Sequence, residues 1–394
     1  MKIFIHDFAG HPFQLVLSRE LADRGHEVTH AFFAEDPGPK GVMESYLARE
    51  GFVDVLPISV GYAYPKGKFL KRLFCDILYR AKLARAIKAK PYDVVISSNT
   101  PTWVQGKALQ ASRCQASSFV YWCQDFYSIA VGALFKKKLG VIGRLVEFVL
   151  FAWDRHQIKK SDHVINITDA FSDLMAPWCD TDKITEINNW GAIDAFQAVN
   201  TSKDWAQING LPLDRPIITY SGTLGLKHDP QLIIQAAEAN REACFLVVAA
   251  GMGADILPDG IYENLKKLPL QPFEEFPGVL AASDILIAMI EPEAGSFSVP
   301  SKVLSYLCAG KPTVLSAPRD NLAAKIVVES GAGIVVDPGN GDGFVAAIRS
   351  LLGDSDMRER MGLAGRAYAE THFDIGQVAD KFETVFSRLK TNCR

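Results

Sequence analysis

The sequence predicts an α/β protein with two doubly wound parallel sheets, and three observations support this prediction. Short apolar runs rich in β-branched residues alternate with longer segments of helical period along most of the 394 residues. These runs are apolar on both faces, as strands covered by helices on both sides must be. A polar stretch at residues 191–215 contains no clean strand and separates two such series. The chain is therefore interpreted as two Rossmann-like halves joined by a linker with one short helix.

The predicted strands occur in chain order on either side of this polar stretch. Those of the first half are KIFI, GHEVTHAFF, FVDVLPI, YDVVISS, SSFVYW, DHVINIT and KITEIN, and a helix at residues 12–24 follows the first of them. Those of the second half are RPIITYSG, CFLVVAAG, DILIAMI, KPTVLSA and GAGIVVD. The predicted domains span residues 1–195 and 196–373. A final helix at residues 374–394 is expected to pack back on the first domain.

Composition excludes several classes of protein. The 42 Lys and Arg against 45 Asp and Glu give a net charge of -3, so nothing points to nucleic acid as a partner. The seven cysteines form no CxxC pair, which favours reduced thiols in a cytoplasmic protein. The start, MKIFIHD, ends its apolar run too early for a secretory signal, and no segment is long enough to span a membrane.

The positive charge of the first half is concentrated in two segments. Residues 66–90 hold nine basic side chains and one acid, Asp76, and helical spacing places Phe69, Leu73, Ile77 and Leu78 near one face. Residues 136–160 combine three consecutive lysines with several aromatic and aliphatic residues. One interpretation is two amphipathic helices with solvated basic faces. The other is a peripheral surface for anionic lipid headgroups at the inner face of the plasma membrane.

Ligands of doubly wound folds bind at the carboxyl ends of the strands, so the residues after each strand are the candidates. After the first strand, Gly10 and His11 form a turn that opens a helix toward an anion. After the first strand of the second half, Gly222 and Gly225 allow close backbone approach, and Lys227 supplies a positive charge. Amide groups, a helix start and an ammonium suit a diphosphate, although the P-loop pattern is absent.

Two further segments follow strands of the second half. AAGMG at residues 249–253 can bring backbone close to a nucleotide. SVPSKVLSYLCAGKPTV at residues 298–314 starts a helix with Ser301 as a plausible N-cap. In that helix Ser301, Lys302 and Ser305 are expected to line the cleft, where they suit phosphate and ribose. The alternative interpretation is simple packing of a helix on a strand.

Taken together, these segments resemble the retaining glycosyltransferases of family 4, which have the GT-B fold. The resemblance covers nearly the whole chain through seven segments in the expected order. They are RGHEVT, INNW, YSGTLGLK, AAGMG, ASDILIAM, VPSKVLSYLCAGKP and HFDIGQVADKFE. The PSK, YL and AGKP elements are most similar to the branch that builds bacterial surface polysaccharides, including transferases of the amino-sugar and colanic-acid type.

The resemblance implies a set of residues around the donor diphosphate. Gly222, Thr223 and Lys227 match the loop whose basic residues hold the diphosphate. Ser301 and Lys302 match the helix start near the phosphates. Because Thr223 replaces the arginine usual in that loop, Lys227 is expected to be the main side chain that neutralises the phosphates.

The resemblance also implies contacts with the rest of the donor. Gly251 and Gly253 match the turn beside the nucleotide, and Leu270 and Gln271 match the stretch beside its base. Ser305 lies where relatives usually carry a ribose-binding glutamate. The partner glutamate is also absent, since Phe297 stands eight residues earlier and Glu291 and Glu293 are out of register. Ribose is therefore expected to be held less selectively.

In the first half, Gly10 and His11 match the N-terminal donor loop, and Gln124 and Asp125 match a site that touches the donor sugar or the acceptor. Lys227, Asp125 and His11 are thus the predicted catalytic residues. The implied function is sugar transfer from a nucleotide-diphosphate sugar to a hydroxyl of a growing, lipid-linked or polysaccharide glycan. Neither a metal nor another cofactor is expected. The alternatives are a nucleotide-sugar 2-epimerase, an inverting GT-B transferase, and an inactive scaffold subunit.

Overall fold

The structure is a computed structural model, and it describes residues 1–36, 40, 53–64, 69–196, 202–225, 228–257, 260, 262–290 and 301–392. The chain divides into two compact units. Unit 1 comprises Met1–Asn188 together with Ile375–Arg394, and unit 2 comprises Asn189–Asp374. The boundary after Asn188 thus lies a few residues before the predicted boundary at position 195 and follows the last strand of unit 1.

Unit 1 is built on a sheet of seven strands. They are β1 (Lys2–Asp7), β2 (Glu27–Phe33), β3 (Val53–Ile58), β4 (Val94–Ser98), β5 (Ser118–Cys123), β6 (His163–Asn166) and β7 (Ile184–Glu186). The order across the sheet is β3-β2-β1-β4-β5-β6-β7, and every pairing is parallel. All five residues of β4 are buried, as the apolar pattern predicts for a central strand.

Helices connect these strands. They are α1 (Pro12–Asp23), α2 (Phe69–Ala89), α3 (Thr102–Cys114), α4 (Tyr127–Leu139), α5 (Val141–Lys160) and α6 (Asp169–Met175). The predicted helix at residues 12–24 corresponds to α1, which starts with a proline in its first turn. None of the helices in the described ranges combines the length and apolar character that crossing a bilayer requires.

Unit 2 contains a second parallel sheet, of six strands. They are β8 (Ile217–Thr223), β9 (Cys244–Ala250), β10 (Leu265–Leu268), β11 (Ile285–Met289), β12 (Thr313–Ser316) and β13 (Gly333–Val336). Their order is β10-β9-β8-β11-β12-β13. The structure therefore confirms the predicted class of two doubly wound parallel sheets. Sequence analysis missed β10, whose sequence LKKL lacks the apolar run of a central strand because it lies at the edge of the sheet.

The helices of unit 2 cover both faces of its sheet. They are α7 (Ser202–Ile208), α8 (Pro230–Ala239), α9 (Met252–Ile256), α10 (Phe276–Ala281), α11 (Ser301–Cys308), α12 (Leu322–Ser330), α13 (Gly341–Gly353) and α14 (Ser355–His372). The short helix predicted in the polar stretch is α7. Its Trp205 lies against Gly278 and donates a hydrogen bond to Glu275, 3.2 Å away, so this segment packs as part of unit 2.

The C-terminal helix α15 (Ile375–Asn392) packs on α1 in unit 1. Arg24, at the end of α1, donates hydrogen bonds to Asp380 at 2.6 Å and to Glu383 at 2.7 Å. On the same helix, the Phe382 ring packs against the Trp122 ring of β5, with 5.0 Å between ring centroids. Phe382 is fully buried, so α15 contributes to the core of unit 1.

Truncation of this aromatic anchor should destabilise unit 1. We expect Phe382→Ala to lower the free energy of unfolding by about 3–5 kcal/mol, because it removes a fully buried ring and leaves a cavity. The measurement is urea unfolding followed by tryptophan fluorescence. The neighbouring Lys381→Ala changes an exposed side chain of the same helix and serves as the matched control. Equal stability of the two variants would show that α15 is not part of the core.

Candidate active site

The carboxyl edge of the unit 1 sheet carries a buried carboxylate bound to an imidazole. Asp7 ends β1 and is fully buried, and Gly10 then turns the chain with φ +73. The next residue, His11, donates its backbone N–H to the Asp7 carboxylate, and its ring Nδ1 lies 3.2 Å from each carboxylate oxygen. Asn99, which follows the neighbouring strand β4, donates to Asp7 Oδ1 at 3.1 Å. Two segments, the turn after β1 and the end of β4, thus converge on one carboxylate.

The charges of this pair support each other. Burial alone would raise the pKa of Asp7, but the charge and hydrogen bonds of His11 outweigh it and lower that pKa. Burial likewise opposes the His11 cation, yet the Asp7 charge and hydrogen bond raise the pKa of His11 above its ordinary value. The more distant charge of Asp125 acts in the same direction. The pair therefore favours the imidazolium form of His11, whose side chain is 40% exposed.

Two other histidines near Asp7 behave differently. His6 is fully buried between Ser97 and Tyr79, each 2.8 Å from a ring nitrogen, and burial lowers the pKa of His6 to about 3. His30 is buried beside β1, and burial lowers its pKa to about 4. Both rings are thus neutral parts of the core. Among these three histidines, His11 alone has a raised pKa and a partly exposed side chain.

The predicted acceptor-side residues lie at the same edge. Gln124 and Asp125 directly follow β5, and Gln124 is buried whereas Asp125 is exposed. The charge of Asp125 contributes to the raised pKa of His11. A second buried acid, Asp76 of α2, accepts hydrogen bonds of 3.0 Å from Tyr64 and from Trp103. Burial raises the pKa of Asp76 to about 6.

At the carboxyl edge of the unit 2 sheet, a lysine is fixed above a glycine. Lys302 of α11 donates a hydrogen bond to the Tyr220 hydroxyl at 2.6 Å, and its Nζ lies 4.2 Å from the centroid of that ring. The Tyr220 hydroxyl in turn donates to the Thr223 carbonyl at 2.8 Å. Burial raises the pKa of Tyr220, so the hydroxyl stays neutral. Tyr220 thereby fixes the position of the lysine.

Gly222 explains how the lysine fits. Its φ is +126, and a Cβ built there would lie 3.5 Å from the Lys302 ammonium nitrogen. The ammonium therefore sits directly over the backbone of the loop that follows β8. Tyr306, on the same helix as Lys302, accepts a hydrogen bond from the Ser221 N–H at 3.2 Å. Helix α11 and the end of β8 are joined at two points, and this arrangement offers a positive charge to an anion.

The AAGMG turn packs on the same loop. A Cβ at Gly251 or at Gly253 would lie 2.8 Å from the Leu224 carbonyl oxygen, which accepts a 2.8 Å hydrogen bond from the Gly253 N–H. Both glycines are thus explained by contact between two loops. His228 closes the other side of the loop, since its Nδ1 accepts from the Gly225 N–H at 2.9 Å. Sequence analysis missed His228 because a lone histidine before a helix carries no distinctive signal.

The remaining predicted residues of unit 2 have these positions. Leu270 and Gln271 follow β10, so they lie at the same carboxyl edge. Ser301 is the first residue of α11, so it is not the N-cap that the sequence predicted. Ser305 lies one turn further along the helix and is half-buried. Lys227 lies outside the described residues, as do positions 291–300 with Glu291, Glu293 and Phe297.

Comparison with known proteins decides the family. A family model described as Glycosyltransferase Family 4 matches residues 15–190, and one described as Glycosyl transferases group 1 matches residues 201–368. The chain belongs to the glycosyltransferases that these two models describe. The resemblance seen in the sequence is thus confirmed, and so is the assignment to the glycosyltransferases.

Individual relatives of this glycosyltransferase are distant. WcaI of Escherichia coli K12, named as a colanic acid biosynthesis glycosyl transferase, is 25% identical over 264 residues, which are 64% of this chain and 63% of WcaI. The D-inositol 3-phosphate glycosyltransferase of Corynebacterium glutamicum is 23% identical over 58% of this chain and 57% of its own length. The chain thus spans less than two thirds of the curated relatives it matches.

Solved structures share the fold over the whole chain. HepE of Anabaena, crystallised with UDP and glucose, has a TM-score of 0.73 at 16% identity and covers 98% of this chain and 99% of its own. Sucrose-phosphate synthase of Thermosynechococcus elongatus has a TM-score of 0.73 at 15% identity and covers 100% of both chains. At such identities the similarity establishes the GT-B fold.

The Asp7–His11 pair predicts an unusual titration. We expect the His11 ring to titrate above its ordinary pKa of about 6.5 in the native protein. In Asp7→Asn it should titrate below that value, because burial persists while the attracting charge is gone. The measurement is an NMR titration of the ring protons. Asp23→Asn, at the exposed end of α1, should leave the titration unchanged. An Asp7→Asn variant with the native pKa would refute the pairing.

The same pair should make stability depend on pH. Because the pKa of Asp7 is lowered, its contribution to the free energy of unfolding is present above about pH 4. That contribution is lost as the pH falls through the pKa of Asp7 in the folded protein. Because the pKa of His11 is raised, its contribution is complete below about pH 6.5 and is lost as the pH rises through the folded value. The difference in unfolding free energy between native protein and Asp7→Asn should therefore be largest between these limits. A difference that is constant with pH would contradict this assignment.

Proposed function

We propose that this glycosyltransferase moves a sugar from a nucleotide-diphosphate sugar to a hydroxyl of a growing, lipid-linked glycan, with retention of configuration. The observation that carries the donor proposal is the Lys302 ammonium, held by Tyr220 over Gly222. The similar fold of HepE, crystallised with UDP-glucose, supports the same donor class. The relation to WcaI, named for colanic acid biosynthesis, supports a role in bacterial surface polysaccharide synthesis.

The proposed role of unit 2 is to stabilise the leaving group. Cleavage of the sugar–phosphate bond leaves negative charge on the nucleoside diphosphate, and oriented charges and amides lower the barrier. Lys302 is suited to this role because its ammonium is already fixed before the donor binds. The N–H groups at the start of α11 add a favourable dipole. Lys227 is expected to contribute a second positive charge from the loop after β8.

The proposed stereochemistry depends on what His11 can do. A buried carboxylate that raises the pKa of His11 favours its protonated form, and an imidazolium cannot remove a proton. It is suited instead to binding an anionic or hydroxyl oxygen. In a retaining front-face transfer, the departing phosphate oxygen takes the proton from the acceptor hydroxyl, so no protein base is needed. If the reaction inverts instead, the exposed carboxylate of Asp125 is the candidate base.

The proposed acceptor is carried on a lipid at the inner face of the plasma membrane, with the protein in the cytoplasm. This proposal is supported by the relation to WcaI and by the basic segments 66–90 and 136–160 in unit 1. We further propose that no metal is required, because lysine side chains supply the positive charge that a divalent cation would otherwise supply. Activity that persists after chelation with EDTA is the expected result.

Removal of the fixed lysine should weaken donor binding. We expect Lys302→Ala to reduce affinity for a nucleoside diphosphate about ten- to a hundredfold, since a hydrogen bond to a charged group contributes ~1.5–3 kcal/mol. Tyr220→Phe keeps the ring under the ammonium but removes its hydrogen bond, so a smaller loss is expected. The measurement is isothermal titration calorimetry with UDP and GDP in turn.

Arg241→Ala is the matched control for this experiment. It also removes one positive charge from unit 2, but Arg241 is exposed and precedes β9, at the opposite edge of the sheet. The affinity of Arg241→Ala for the nucleoside diphosphate should equal that of the native protein. If Lys302→Ala binds as tightly as Arg241→Ala, Lys302 does not contact the diphosphate.

A donor screen tests the function as a whole. Purified protein is incubated with a panel of nucleotide sugars and with lipid extracts as acceptors, and mass spectrometry identifies the product. NMR coupling constants of the new anomeric proton then distinguish retention from inversion. Release of an epimerised free sugar without acceptor would instead identify a 2-epimerase. Donor binding with turnover only after a partner transferase is added would identify a scaffold subunit.

A further inference from the structure

In the described part of unit 1, the exposed large apolar side chains are concentrated on α2 and α5. On α2 they are Leu70, Phe74 and Ile77, and on α5 they are Val141, Ile142, Leu145, Phe148, Val149 and Trp153. The other exposed one in the described part of unit 1, Tyr62, contacts the Phe74 ring with 6.2 Å between centroids. Single exposed apolar residues are ordinary on protein surfaces, but a set confined to two helices is not. We call this set the apolar face.

The spacing on α5 shows that the exposure is a continuous stripe. Positions 141, 145, 148 and 152 recur at the helical period, and positions 142, 149 and 153 lie beside them. The aliphatic Val141 is 81% exposed and the aromatic Phe148 is 70% exposed, although folding normally buries such side chains. The helix therefore has two apolar sides, one packed on unit 1 and one facing outward.

Contacts of α5 with α3 place this stripe relative to the sheet. Gln157 of α5 donates a hydrogen bond to the Thr102 carbonyl at 2.9 Å, and Trp153 lies against Gly106. Because α3 begins directly after β4, its first turns lie at the carboxyl edge of the sheet. Val141 precedes Trp153 by 12 residues, so the helix continues roughly 18 Å further, at ~1.5 Å per residue. Its N-terminal half, paired with α4, extends beyond that edge.

The exposed residues of α2 lie at the same edge. Asp76 of α2 accepts a hydrogen bond from Trp103, in the first turn of α3. Leu70, Phe74 and Ile77 therefore lie level with the start of α3, where the strands end. His11, Asn99 and Asp125 are at this same edge. The apolar face and the proposed acceptor end thus lie toward the same edge of unit 1.

Charge selects among the possible occupants of the apolar face. The exposed charged residues of the two helices are all basic. They are Lys71, Lys82, Arg85 and Lys88 on α2 and Arg144, Arg155, Lys159 and Lys160 on α5. The acids of these helices are buried, as Asp76 and Asp154 are, or partly buried, as Glu147 is. A second copy of the chain would bring like charges together around the same face. A bilayer with anionic headgroups attracts the basic residues and accepts the apolar ones.

We propose that the apolar face inserts into the headgroup region of an anionic bilayer, with the basic residues of α2 and α5 bound to lipid phosphates. This deepens the proposed function, on whose lipid-linked acceptor it rests, by naming the surface that brings the enzyme to the acceptor. Attraction by the basic residues alone would be released by salt. Insertion of apolar side chains adds a component that salt does not remove. Binding should therefore weaken at high salt but persist.

Liposome co-sedimentation separates the two components. The vesicles are phosphatidylcholine alone and an equal mixture of phosphatidylcholine and phosphatidylglycerol, each at low and high salt. Native protein should bind the anionic vesicles at low salt and retain part of that binding at high salt. The double variant Leu145→Ser, Phe148→Ser should bind the vesicles at least about tenfold more weakly at both salt concentrations. Arg155→Glu with Lys159→Glu should lose binding mainly at low salt.

A matched double variant in unit 2 provides the control. Val328→Ser with Leu363→Ser also replaces two exposed apolar residues, at 62% and 64% exposure, and should bind vesicles like the native protein. Unchanged vesicle binding by Leu145→Ser, Phe148→Ser would overturn the proposal. So would a native dimer, detected by light scattering, that this variant converts to monomer. Nucleotide affinity is measured on the same samples, so absent donor binding with intact vesicle binding would reject the proposed function alone.

Discussion

The parallel direction of every strand is the constraint on which both units depend. Parallel neighbours need a crossover connection after each strand, so all carboxyl ends of a sheet meet at one edge. In unit 1 this brings His11, Asn99 and Asp125 to one edge, although they span more than a hundred positions in the sequence. In unit 2 it brings the loop after β8 against the turn at Gly251 and the start of α11. The loop that leaves each strand therefore begins at this shared edge, and the candidate site residues of each unit lie there.

Burial at such an edge also determines the charge that each site presents. A carboxylate as buried as Asp7 is costly unless a cation and hydrogen-bond donors surround it. His11 and Asn99 provide them, and the same attraction favours the charged form of His11. In unit 2 the ring and hydroxyl of Tyr220 hold the Lys302 ammonium over Gly222. Each unit thus fixes a basic side chain at its strand ends, through Asp7 in one and through Tyr220 in the other.

These mechanisms also explain what the sequence could predict. Central strands such as β1 and β4 are recognisable because their runs are apolar on both faces, whereas β10 at the sheet edge has no such run. His11 and Lys302 were predicted because they follow strand ends or match a family segment. Asp7 and Tyr220 were not, since both lie within strand segments and act through contacts that only the folded chain creates. For α2 the periodicity indicated an amphipathic helix, but it could not show that Leu70 and Phe74 remain uncovered.

The departures from the family pattern become consistent with one another around Lys302. The resemblance implies an arginine where this chain has Thr223 and a glutamate where it has Ser305. Lys302 and Ser305 are three residues apart on α11, so their side chains are neighbours on the helix surface. Tyr220 directs the ammonium over Gly222, next to the loop in which the resemblance implies an arginine. A basic side chain from the helix thus lies at the strand end where the family pattern expects one from the loop.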